Sequence, residues 1–124
     1  MALTQAMCTS FKQELLVGTH NFTLAANAFK LALFRATASI VGTFGAGTTN
    51  YSNMGADEAS GTNYTAGGNT LTNVTPTTSG TTALTDFADL VFTNVTITTS
   101  GCLINNETQA DRAVAVFSFG SYKT

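Results

Sequence analysis

Ala113-Val114-Ala115-Val116-Phe117-Ser118-Phe119 is the stretch on which the fold reading turns. It is apolar at both parities. Successive side chains of a strand point to opposite faces, so such a run belongs to a central strand covered on both sides. Phe29-Lys30-Leu31-Ala32-Leu33-Phe34 has the same character. Phe29, Leu31 and Leu33 share one parity, and Ala32 and Phe34 make the other face partly apolar too. Thr81 to Asp86 reads as a further strand. Leu90 and Phe92 share one parity and Val95 and Ile97 the other, which predicts a bulge or break near Thr93-Asn94. Val95-Thr96-Ile97-Thr98-Thr99 is strongly β-prone, and Gly101 to Ile104 continues or re-enters the sheet. Asn105-Asn106-Glu107-Thr108 reads as a turn. Asn69 to Thr78 is a polar strand interrupted by Pro76, which places it at an edge or a strand end.

One helix is signposted, over residues 10–17. Ser10 and Gln13 have capping-box spacing, Phe11 and Leu15 share a face, and Gly18 stands where a C′ glycine ends a helix. Gly61 to Gly68 marks a turn. Residues 38–60 are rich in Gly, Ser, Asn and Thr, and read as a long loop with little core material, of the kind that forms a binding surface or is disordered. Residues 1–9 carry no charge and read as an arm that orders on docking. The pattern predicts a single domain over 1–124. Its fold class is all-β, an antiparallel β-sandwich or small barrel with one short N-terminal helix.

Composition narrows the function. Only 10% of the 124 residues are charged, there is one histidine and no tryptophan, and 44% are hydrophobic, nine of them Phe. Such a chain buries a core, but it is poor in groups that titrate, coordinate or attack. The net charge is −2 and the five basic residues (Lys12, Lys30, Arg35, Arg112, Lys123) are scattered, which argues against nucleic acid and anionic membrane as partners. No run has the length of a membrane-spanning helix, and the first residues lack the basic and apolar regions of a signal peptide. Without that context the Asn-x-Ser/Thr triplets read as products of composition. Cys8 and Cys102 read as small hydrophobes, with a disulfide between the N-terminal segment and the sheet as the alternative.

The side chains that invite a chemical reading each have a plainer one. His20 lies just past the helix, where a turn or capping role near the C-terminus is expected. Asp86 and Asp89 flank Phe87-Ala88 as a solvated strand end, and Asp57-Glu58 is read in the same way. Calcium needs six to eight oxygens, which these pairs do not offer. Gly42-Thr43-Phe44-Gly45-Ala46-Gly47 lacks the Gly-Lys-Ser/Thr ending of a phosphate loop. No catalytic, cofactor-binding or metal-binding residue is assigned, and the expectation is a protein that is not an enzyme and needs no cofactor.

Phe11-Lys12-Gln13-Glu14-Leu15-Leu16-Val17-Gly18-Thr19-His20-Asn21-Phe22, followed by Phe29-Lys30-Leu31-Ala32-Leu33-Phe34, resembles the opening of a family of small virion proteins of tailed bacteriophages. The resemblance continues through Gly61 to Leu71, Asp86-Phe87, Val95 to Thr98, Arg112 to Val116 and Phe119-Gly120-Ser121. It covers most of the chain but not the 38–60 loop, and it transfers no site residue. It implies a structural virion protein: a capsid cement or decoration protein bound to the major capsid protein lattice on the capsid exterior, after assembly in the host cytoplasm. Lattice symmetry favours a homo-oligomer, a trimer before a dimer. A tail, neck or head-fibre component is the alternative. A carbohydrate-binding module ranks below both, because sugar sites present exposed aromatics and the candidates are only Tyr51, Tyr64 and Tyr122.

Overall fold

The structure, a computed structural model, describes residues 2–124. Its centre is β8 (Thr99–Asn106), all eight residues of which are buried. β8 pairs antiparallel with β3 (Phe29–Phe34) on one side and with β9 (Arg112–Lys123) on the other. β5 (Asn69–Thr70) extends the sheet beyond β3, and β2 (Ala6–Met7) extends it beyond β9, giving the order β2-β9-β8-β3-β5. β1 (Ala2–Leu3) forms a small parallel pair with β4 (Thr43–Phe44). β6 (Asn73–Ser79) and β7 (Thr82–Phe87) form a separate hairpin. The fold is all-β and predominantly antiparallel, with one short helix, α1 (Thr9–Leu16).

Close strand packing requires glycine at two points. A Cβ at Gly101 would collide with the Phe117 carbonyl and the Leu3 side chain, and one at Gly68 would collide with the Leu31 carbonyl. Gly68 also has φ +74, in the left-handed region.

Both faces of the sheet are covered. The larger cluster holds Phe11, Phe22, Phe29, Phe34, Phe44, Met54, Leu103 and Val116. Phe22 stacks on Phe29 at 4.3 Å between ring centroids, and Phe11 meets Phe22 edge-on at 5.8 Å. The smaller cluster holds Leu33, Ala59 and Cys102, with Tyr64, Phe92 and Ile97 packed against it. β3 is therefore buried on both faces, although Phe29 joins the larger cluster while Leu33 lies in the smaller one and Leu31 packs against both.

Several local expectations are corrected. Ser10 does not cap α1: the N-cap is Cys8, which makes no side-chain cap bond, and Ser10 Oγ is buried without a partner. The Ala46 carbonyl instead accepts the Thr9 N–H at 2.8 Å, so a loop takes the role of the capping side chain. The helix C-terminus behaves as its glycine implies. Gly18 has φ +79, its N–H reaches the Leu15 carbonyl and the Thr19 N–H reaches the Glu14 carbonyl, which is a Schellman ending.

Met1 lies outside the described residues, but the remainder of the supposed arm is already part of the fold. Cys8 is fully buried and its N–H donates to the Val114 carbonyl at 2.9 Å, while the Thr4 N–H donates to Phe44. The 38–60 segment supplies core residues Ile40, Phe44, Met54 and Ala59 and holds two tight helical turns, Tyr51–Asn53 and Gly55–Asp57. Asn105 and Asn106 belong to β8, and the turn begins at Glu107. Residues 95–98 make one isolated bridge, Thr62 to Thr96, because Ile97 is used to cover the smaller cluster. The expected break is present, with Asn94 at φ +56.

Two of the glycines with positive φ, Gly18 and Gly68, separate strain from collision. Gly18→Ala meets no atom within 4 Å, so it should cost only the left-handed backbone term, about 1 kcal/mol. Gly68→Ala adds a backbone collision and should cost roughly 3 kcal/mol or more. Urea unfolding midpoints of the two variants measure the difference.

Candidate functional site

The side chains with chemical potential converge into three carboxylate-centred networks. The first fastens α1 to the sheet. Glu14 lies three residues after Phe11, on the same helical face, and both are buried. Its Oε1 accepts from His20 Nε2 at 2.9 Å and its Oε2 from Arg112 Nη1 at 2.6 Å. The other ring nitrogen of His20, Nδ1, faces Asn106 Nδ2 at 2.9 Å. Asn106 Nδ2 also donates to Asn27 Oδ1, and Asn106 Oδ1 accepts the Gln109 N–H, which fixes the orientation of the amide. His20 Nδ1 is thus the acceptor and Nε2 carries the hydrogen.

His20 therefore does not cap the helix. The Schellman turn brings the chain back beneath Glu14, and the imidazole side chain is wholly buried with both nitrogens engaged. A general base needs a free nitrogen within reach of a substrate proton, and this ring offers neither. Burial pushes the Glu14 carboxyl upward, but the bonds from His20 and Arg112 outweigh it and hold the group below the usual carboxylate range.

The second network organises the 38–60 segment. Asp57 accepts from Arg35 Nη2 at 2.8 Å, from the Val41 N–H at 2.9 Å and from the Gly42 N–H at 2.8 Å. Here too burial raises the carboxyl and the backbone N–H and guanidinium bonds win, leaving it lowered. The third network centres on Glu58, which accepts from Tyr51 at 2.6 Å, Tyr64 at 2.8 Å and the Gly67 N–H at 2.6 Å. Tyr64 Oη in turn accepts the Leu33 N–H at 2.8 Å. Burial and the facing carboxylate push the Tyr51 hydroxyl up to about 12.

Asp57 and Glu58 are thus fasteners and not a solvated pair, and nothing in their local sequence announced it. Tyr51 and Tyr64 are half-buried and their hydroxyls are committed to Glu58, so they do not form an exposed sugar platform.

The remaining candidates stay apart. Asp86 lies on the exposed hairpin and accepts the N–H of Phe87; Asp89 lies in the exposed segment after it. Cys8 and Cys102 are free and buried, one in each cluster, and desolvation pushes their thiols up to about 11 and about 12. Among the described residues no three His, Cys, Asp or Glu side chains are placed to hold a metal ion.

The surface is where the structure leaves interactions unmade. β2 covers the outer side of β9 only at Ala115 and Val116. From Phe117 to Lys123 no strand is paired to that side among the described residues, although β1 lies close to β9. Phe117, Phe119 and Tyr122 are exposed there, and Lys123 is the only charged residue of the stretch. Periodicity had placed Phe117 and Phe119 inside, but burial ends at Val116. Comparison of the chain with protein-family models, with curated proteins and with solved structures found no match.

The depressed carboxyls set a pH dependence. A group whose folded pKa lies below its unfolded value contributes stability above the unfolded value, near pH 4, and that contribution fades as pH falls through the folded value. Glu14→Gln and Asp57→Asn should each lower unfolding free energy at pH 7 by about 1–3 kcal/mol, with a much smaller difference at pH 2–3. Denaturant titrations at both pH values test this. A penalty that does not change with pH would show that the carboxylate charge is irrelevant.

Proposed function

We propose that this chain is a structural protein of a virus particle, a cement or decoration protein that binds the major capsid protein lattice on its outer face and stabilises the head. The observation that carries the reading is the uncovered side of β9. An open strand edge about 20 Å long, set with Phe117, Phe119 and Tyr122, offers a rigid and nearly uncharged strip to another protein surface. The resemblance of the helix and first long strand to small phage virion proteins supports the same reading.

A shell repeats one site many times, so modest affinity per copy suffices for dense occupancy. The reading assigns no catalysis: Glu14, His20, Asp57 and Glu58 are already spent on holding covers to the sheet. It assigns no nucleic acid or membrane partner either. Arg35 and Arg112 face carboxylates, and Lys30 lies 3.8 Å from Glu107.

Two measurements on purified particles test it. Particles lacking this protein should release DNA at a lower temperature, and Phe119→Glu with Tyr122→Glu should reproduce that loss while the isolated protein stays folded. Unchanged release temperature contradicts the cement role. Stoichiometry should reach hundreds of copies; about a dozen would move the protein to the neck or tail.

A further inference from the structure

The hairpin β6–β7 stands apart from the five-stranded sheet. Asn73 anchors its base, donating from Nδ2 to the Thr23 and Asn27 carbonyls, and Phe87 packs against Phe22 and Phe29. Between them, Val74 to Asp86 is exposed throughout. A two-stranded ribbon with both faces in water is marginal, and three or more strands are needed for independent stability.

Its two edges are not alike. β6 contains Pro76 and a bulge, since Val74 pairs with Asp86 and Thr77 with Leu84, and the adjoining loop leans on it through the Leu24 N–H to Thr75 Oγ1 bond at 3.1 Å. Proline, bulges, covering loops and charged side chains are the usual means of blunting an edge. β7 is regular from Thr82 to Phe87 and carries one of these devices, the single charge of Asp86 near its end.

From this asymmetry we infer that β7 pairs edge to edge with β7 of a second copy of this chain, making a continuous four-stranded sheet β6-β7-β7-β6 across a two-fold axis. The register follows from symmetry. An axis normal to the sheet pairs only residues of equal parity, because opposed side chains must share a face. Centring it on Leu84 sets Leu84 against Leu84 of the second copy, Thr82 against Asp86 twice, and Ala83 against Thr85 twice. The apolar side chain meets its like, and each carboxylate meets a hydroxyl and not another carboxylate. In this register the edge is self-complementary, apolar to apolar and carboxylate to hydroxyl, and a second copy is the occupant that supplies this match. The contact is two-fold, a different symmetry from the threefold arrangement that the lattice argument favours, and it stands independently of the virion reading.

Sedimentation velocity of the full chain at about 100 µM tests it. The wild type should sediment as a dimer. Thr82→Asp opposes like charges at two points and should give a monomer with an unchanged circular dichroism spectrum. Thr82→Lys opposes unlike charges and should remain dimeric, with affinity raised roughly two- to thirty-fold. A monomeric wild type at that concentration overturns the proposal. So does an oligomer of any size on which the two substitutions act alike.

Discussion

Everything in this molecule follows from a strand that is buried along its whole length on both faces. β8 presents Cys102 to one cluster and Leu103 and Ile104 to the other, so each side of the sheet needs a cover. The α-helix, α1, is eight residues long and covers a fraction of one side. Irregular backbone must supply the rest, and buried irregular backbone brings N–H groups that no ladder satisfies. Buried and half-buried polar side chains answer that need. Asp57 takes the N–H groups of Val41 and Gly42, Glu58 that of Gly67, and Asn106 that of Gln109.

Two kinds of energy divide the work. Burying a phenylalanine contributes about 1.5–3 kcal/mol, and Phe11, Phe22, Phe29, Phe34 and Phe44 are all inside. A typical internal hydrogen bond nets only about 1 kcal/mol, whereas an unmade one at a buried group costs about 1–3 kcal/mol. Apolar burial therefore drives collapse onto the sheet. The polar networks favour the observed loop path, because a path that breaks them leaves a buried N–H or a carboxylate unpaired.

How much of this is legible in the sequence depends on how far apart the partners lie. The strand at Phe29–Phe34, the glycine ending of α1, the break at Asn94 and the irregularity at Pro76 are written in adjacent residues and could be read there. The capping box at Ser10 was outcompeted by a carbonyl from Ala46, 37 residues away from Thr9. Arg112 meets Glu14 across 98 positions and Asn106 meets His20 across 86, which no local pattern encodes. One signal was present: Glu14 shares the face of Phe11, and a carboxylate on an apolar helical face implies a buried partner. Asp57 and Glu58 gave no such signal, since their neighbours in sequence are those of an ordinary polar loop. The low charge of the chain takes on a new meaning here, since much of that charge lies within the scaffold and leaves β9 and the hairpin almost neutral.

The covering segments are as firmly part of the native state as the sheet beneath them, whereas the hairpin projects from it. Native-state hydrogen exchange resolved by NMR tests this directly. The amides of Val41, Gly42 and Gly67 should exchange on the timescale of Leu103 and Ile104 in β8, and those at the hairpin tip, Gly80 to Thr82, orders of magnitude faster when the chain is monomeric. Exchange of Val41, Gly42 and Gly67 at the rate of the hairpin tip would contradict it, because the carboxylates would then be decorating mobile loops instead of fixing them.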